Sequence, residues 1–221
     1  MTIVIDIIAA LVLLFAGYVY TCCYFNGVKG DLLNKQVIRL TRNKIIYLTA
    51  GIAAIGILIT AFETIYLLDT ISQVKMLSLV MILLPAAAVD LRDQKIPNKL
   101  LLAAVAIRIA IYAAEFILSV PAALYTLKDD FLGAAVVGGF FLLLLLIFKN
   151  SIGMGDIKLF AVMGLYQGLW GVINSVFFSL VVSFFLSVAL LISGKKKRKD
   201  TISFGPSIFI GTVIAMGLAG M

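Results

Sequence analysis

The sequence predicts an all-α fold: a polytopic transmembrane helical bundle of about eight spans, with both termini outside. Three observations lead there. Of the 221 residues, 63% are hydrophobic, and the mean hydropathy is +1.15. Apolar runs of around 20 residues recur along the whole chain, the length that crosses a bilayer as helix. Alternation at period two, the mark of a membrane barrel, is absent. Little sequence is left over for a soluble unit. Residues 1–221 therefore read as a single integral membrane domain, with N-terminal spans in 1–75 and a core in 76–221.

The first apolar segment is Ile3–Phe25. It has no basic start and carries Asp6, so it reads as a retained span rather than a cleaved signal peptide. Ile45–Leu68 is the second and Met76–Val89 the third, closed by Asp90. Pro97 disfavours helix at Ile96 and suits the first turn of a new one. The third span should thus end near Lys95, and the fourth, Leu100–Val120, should start near Pro97. Phe131–Phe148 is the fifth. Ile157–Gly168 and Leu169–Ser193 are the sixth and seventh. From Asp156 to Ser193 one helix would run about 57 Å, too long for one straight crossing. A hairpin is expected at Gly168-Leu169-Trp170-Gly171, with Trp170 as an interfacial anchor. Ile202–Gly220 is the last segment.

Charge tests this division. With the 26–44 loop inside, parity puts 90–99, 149–158 and 194–201 inside too. The first loop holds Lys29, Lys35, Arg39, Arg42 and Lys44. The second and third hold Arg92, Lys95, Lys99, Lys149 and Lys158. The last holds Lys195, Lys196, Lys197, Arg198 and Lys199. Only Lys75 and Lys128 fall outside, and Arg108 lies within a span. This bias places both termini outside and the four basic loops in the cytoplasm. It also accounts for the net charge of +7 by loop and anionic-lipid contacts, without nucleic acid. The 195–199 run reads as a topology anchor, with docking of an acidic substrate a lesser reading.

Cysteine excludes one class of chemistry. Cys22 and Cys23 are adjacent, and no histidine is present. No zinc site can be assembled from them, and no metal or other cofactor is expected. Both read as small buried hydrophobes.

Two motifs carry the chemistry. Asp90-Leu91-Arg92-Asp93-Gln94-Lys95-Ile96-Pro97-Asn98 closes one span, and Gly153-Met154-Gly155-Asp156 opens another. A carboxylate at the rim of hydrocarbon is costly and usually functional. Alone, the first motif would read as a charged hairpin that anchors topology. Alone, the second would read as a turn with Asp156 as helix N-cap. Together, on the same side, they supply two carboxyls that can share one proton and activate water. Asp90 lies about one turn deeper than Asp93, between Val89 and Leu91, and is preferred as the functional member. Gly153 and Gly155 offer positive φ and room for a close backbone. A peptidase would use both, to aim the carboxylate and to admit an extended peptide.

These residues carry a resemblance. Asp90 with Ile96-Pro97-Asn98, then Gly153-Met154-Gly155-Asp156-Ile157-Lys158-Leu159, then Phe204-Gly205-Pro206 resemble the type IV prepilin peptidases. Those are membrane aspartyl endopeptidases of the GxGD type, related to archaeal preflagellin peptidases. The likeness runs over about residues 76–215. It implies Asp90 and Asp156 as catalytic residues. It leaves Gly153, Gly155, Lys158, Pro97, Asn98 and Asp93 as substrate-binding or motif-supporting. It also implies prepilin-like precursors as partners, in the inner (plasma) membrane, with cleavage of a short hydrophilic leader at the cytoplasmic face; membrane lipid is the partner the apolar spans and basic loops call for. Many bacterial members carry an N-terminal insert with two Cys-x-x-Cys pairs that bind zinc, associated with N-methylation. The corresponding loop here, Asn26–Lys44, has no cysteine, so peptidase activity without methyl transfer is the expectation. The Tyr-Asp and Pro-Ala-Leu motifs of presenilin-like enzymes are absent.

Two other classes stay open on sequence. Intramembrane acids also serve cation-coupled transporters, though no internal repeat is visible. A non-catalytic assembly factor could bind pilin-like helices without cutting them. Arg108, Glu63 and Glu115 lie within spans. Arg108 and Glu115 are spaced to share a helix face, as a structural ion pair. Gly138-Gly139 is expected to mark close helix packing.

Overall fold

The computed structural model describes residues 2–26, 42–62, 69–148, 153–193 and 203–219. Among them the chain forms seven helices and no strand. These are α1 (Thr2–Asn26), α2 (Arg42–Ala61), α3 (Thr70–Asp93), α4 (Asn98–Leu118), α5 (Val120–Ile147), α6 (Met154–Ile192) and α7 (Gly205–Ala219). Five of them, α1, α3, α4, α5 and α6, are long and apolar enough to cross a membrane, while α2 and α7 offer shorter apolar stretches. The basic 195–199 run, Lys149, Glu63 and most of the 26–44 loop lie outside the described residues.

α3 is the axis of the bundle. It touches α1, α2, α4, α6 and α7, and its residues are buried almost continuously from Gln73 to Asp90. Between lipid-facing helices water is not the reference, so association rests on close packing and internal polar bonds. Small residues let backbones approach. A Cβ placed on Gly133 of α5 would come within 2.6 Å of the Gly168 carbonyl. Gly138 packs on Ala161 as expected, whereas Gly139 faces outward with nothing near.

The long sixth element is not one rod. At Gly168 the backbone leaves helical geometry, with φ 66° and ψ −172°. The chain bends there, and Gln167 Nε2 donates to Ser175 Oγ across the break at 2.9 Å. Eight residues of straight helix would separate them by about 12 Å. α6 is thus two arms, 154–167 and 169–192, and the break falls where the sequence placed it. Trp170 stands exposed beside it. Gly168→Ala should be destabilising by about 1–3 kcal/mol, since L-residues resist positive φ and the added Cβ would strike the Asp129 carboxylate. Thermal unfolding in detergent measures this.

Three expectations need correction. The 121–130 stretch is not a loop: α4 and α5 are separated by Ser119 alone, and Pro121 fits the first turn of α5. Second, neither Lys75 nor Lys128 lies in an external connection. Lys75 is buried in α3, and Lys128 is exposed on α5. Third, the charges that looked like loop composition are satisfied inside the bundle. Arg108 pairs with Glu115 at 3.0 Å, as anticipated, but also with Asp130, which in turn lies 4.0 Å from Lys75.

This cluster closes the break in α6. A helix that stops leaves carbonyls without partners, and a helix that starts leaves amides without partners. Arg108 Nε donates to the Leu165 carbonyl at 2.7 Å, while the Leu169 N–H donates to Asp129 Oδ1 at 3.4 Å. A cation meets the end of one arm and a carboxylate the start of the next, the arrangement the helix dipoles favour.

Candidate active site

α3 ends where Gln94 turns left-handed, at φ 51°, with its amide bonded to the Asp90 carbonyl. Residues 95–97 are irregular, with Pro97 extended, and the Pro97 carbonyl receives the first amides of α4 from Leu100 and Leu101. Pro97 is therefore the N-cap of α4 rather than its first-turn residue, and Asn98 begins the helix. Across from this loop, Gly153 is the N-cap of α6 and Asp156 sits in its first turn.

These two helix ends enclose a cavity of about 340 Å³. Asp90 and Asp156 both line it. Asp90 is 5% exposed, and Asp156 is half-buried. The Gly205 amide donates to Asp90 Oδ2 at 2.7 Å. Among the described residues none donates to the Asp156 carboxylate.

The glycines act by smallness. Gly153 has φ −70°, and among the described residues Gly168 is the glycine with positive φ. The expected left-handed bend at Gly153 or Gly155 is thus absent; the first turn of α6 aims Asp156 without it. A Cβ on Gly153 would lie 3.1 Å from Asp156 Oδ2, and one on Gly155 would lie 3.2 Å from Ile96 Cβ. Both glycines keep the loop and the carboxyl close together.

The remaining candidates divide. Lys158 Nζ donates to Asn98 Oδ1 at 3.2 Å, tying α6 to α4 at the cavity rim, and both residues line it. Pro97 shapes the loop without lining the cavity. Asp93 is exposed; it takes a hydrogen bond from Tyr24 of α1 and lies 3.7 Å from Arg92. It does not line the cavity, so the structure separates it from Asp90. Sequence reasoning missed Gln94, Lys95 and Met154, which also line the cavity. It gave Gly205 no role of its own. A Gly-Pro pair at a helix start was its only local signal.

A family model described as the type IV leader peptidase family matches residues 77–192. The chain belongs to the type IV leader peptidase family. The matched region carries both aspartates and the cavity between them. A prepilin leader peptidase/N-methyltransferase of Bacillus subtilis (strain 168) is 28% identical over 134 residues, covering 61% of this chain and 51% of that protein. The chain therefore spans about half the length of this curated relative. No solved structure matches it.

Among the described residues no group of three or more His, Cys, Asp or Glu side chains is arranged to hold a metal. Chemically, the site offers two carboxyls, an amide donor, and the two lysines and two side-chain amides that share the cavity's lining. That inventory suits acid–base activation of water beside an extended peptide.

Proposed function

We propose that this chain is a membrane aspartic endopeptidase that removes the short leader of type IV prepilin-like or preflagellin-like precursors at the cytoplasmic face. The observation that carries the reading is the placement of Asp90 and Asp156 on one cavity, at helix ends beside a polar loop. Such a precursor keeps its apolar helix in the bilayer and its charged leader in water, so its scissile bond lies near that level. The basic residues of the 26–44, 90–99, 149–158 and 194–201 segments support a cytoplasmic orientation of this end. They also support both termini outside, about eight spans and a location in the plasma (inner) membrane. The whole chain works as one domain, with 76–221 as its catalytic core.

In the reaction, one carboxyl of the pair is ionised and the other protonated. The ionised one takes a proton from water as the water oxygen bonds to the scissile carbonyl carbon. The protonated one gives its proton to the carbonyl oxygen. Collapse of the tetrahedral intermediate then breaks the C–N bond, and the proton taken from water passes to the leaving amine. Methyl transfer to the new N-terminus is not part of this reading, because the 26–44 loop has no cysteine pairs.

Purified full-length chain, incubated with a prepilin-like precursor, should yield a single cut mapped by mass spectrometry at the junction of leader and apolar helix. An uncut precursor would sink the reading. Asp93→Asn should retain at least about half the wild-type rate, as exposed substitutions away from a site change little. Complete loss there would transfer the role of Asp90 to Asp93.

A further inference from the structure

We propose that Gly205 is a positioning residue of the catalytic pair: its backbone amide, at the start of α7, fixes the Asp90 carboxylate through Oδ2. This rests on the peptidase reading above and deepens it. The amide reaches Asp90 Oδ2 at 2.7 Å, with the Phe204 amide beside it. The Gly205 amide opens the first turn of α7, where N–H groups lack internal partners and the dipole favours a negative charge; Phe204 flanks the helix, its carbonyl receiving the Ile208 amide at 3.0 Å.

The contact requires glycine. A Cβ at position 205 would lie 2.9 Å from Asp90 Cβ, 3.0 Å from Asp90 Oδ2 and 3.1 Å from Ala87 Cα. Two of those three atoms are held by the α3 backbone and cannot swing aside. Any side chain must push α7 away from the carboxylate. An aromatic stack also holds the start of α7 in place. Phe204 packs edge-on to Phe160 at 5.9 Å, and Phe160 stacks on Phe141 at 4.6 Å. The start of α7 is thereby tied to α5 and to the arm of α6 that carries Asp156. Among the described residues no backbone amide holds the Asp156 carboxylate in the same way. A carboxylate held by backbone amides keeps a fixed orientation, which is what attack by an aligned water demands.

Gly211 provides the comparison. It is also on α7, and a Cβ there would press on the Ser179 backbone, far along the chain from Asp90. Gly205→Ala and Gly211→Ala should both lower the unfolding temperature in detergent. Gly205→Ala alone should lower kcat per folded enzyme, by about ten- to a hundredfold, with KM for the precursor within about twofold. A second pair of variants tests the same asymmetry without touching α7. Asp156→Glu should keep measurable cleavage, whereas Asp90→Glu, wedged against the anchored amide, should keep none. Equal kcat in Gly205→Ala and Gly211→Ala overturns the positioning role, as does Asp90→Glu cutting as well as Asp156→Glu. If wild-type enzyme leaves the precursor whole, the peptidase reading falls first and this inference with it.

Discussion

Asp90→Asn and Asp156→Asn are each expected to reduce leader removal by about a thousandfold or more. Positioned acid–base groups contribute about 10²- to 10⁴-fold each, and here each carboxyl must carry a proton, one taken from water and one given to the carbonyl oxygen. Asparagine keeps the size and the polarity of the side chain but cannot take up or release that proton. In Asp90→Asn the amide oxygen still accepts from Gly205, so α7 should stay docked and the protein should fold. The two losses should not multiply: Asp90→Asn/Asp156→Asn is expected to be no slower than the worse single variant, because the groups act as a unit. Initial rates on a purified precursor, with unfolding temperatures recorded in parallel, separate chemistry from folding. Either single variant retaining more than about a tenth of the wild-type rate would contradict the paired-carboxyl mechanism.

Much of this site was legible because membranes penalise charge. Asp90 and Asp156 stood out as acids at the rims of apolar runs, and Pro97 and Gly168 punctuated helices as their backbone preferences dictate. What stayed hidden is pairing between distant helices. Lys128, Asp129 and Asp130 read as a polar connection, since nothing local says that Asp130 meets Arg108 of α4 and Lys75 of α3. The length of α5 was misjudged for the same reason. Gly205 was hidden differently. A glycine's partner is a backbone approach, and the carboxylate it serves lies 115 positions earlier in the chain. Asp93 and Asp90 differ by one helical turn in sequence, yet Tyr24 of α1 claims one and the cavity the other.

Arg108→Leu is expected to cost about 3–5 kcal/mol of stability, the range for removing one partner of a buried ion pair. Arg108 and Asp130 are each 1% exposed. Without the guanidinium, Asp130 would keep Lys75 at 4.0 Å and the Tyr112 hydroxyl at 2.9 Å. The Leu165 carbonyl would lose its closest donor at the break in α6. Arg108→Lys should not restore stability, because one ammonium cannot reach Leu165, Glu115 and Asp130 together as the planar fork does. Glu115→Gln should cost less, about 1 kcal/mol, since that side chain is 11% exposed and its loss leaves Asp130 paired. Arg108→Leu/Asp130→Leu should recover part of the single-variant loss, because it removes the stranded charge along with its partner. Reversible unfolding in mixed micelles gives all four values. The same series decides what the cluster is for. With two cations, Lys75 and Arg108, facing two anions, Asp130 and Glu115, and with Arg108 closing a helix end, it has the chemistry of a structural joint. A joint predicts that variants lose stability first and cleave normally while folded. An ion path would instead predict ion flux through the wild-type protein in vesicles, abolished by Asp130→Asn without loss of fold.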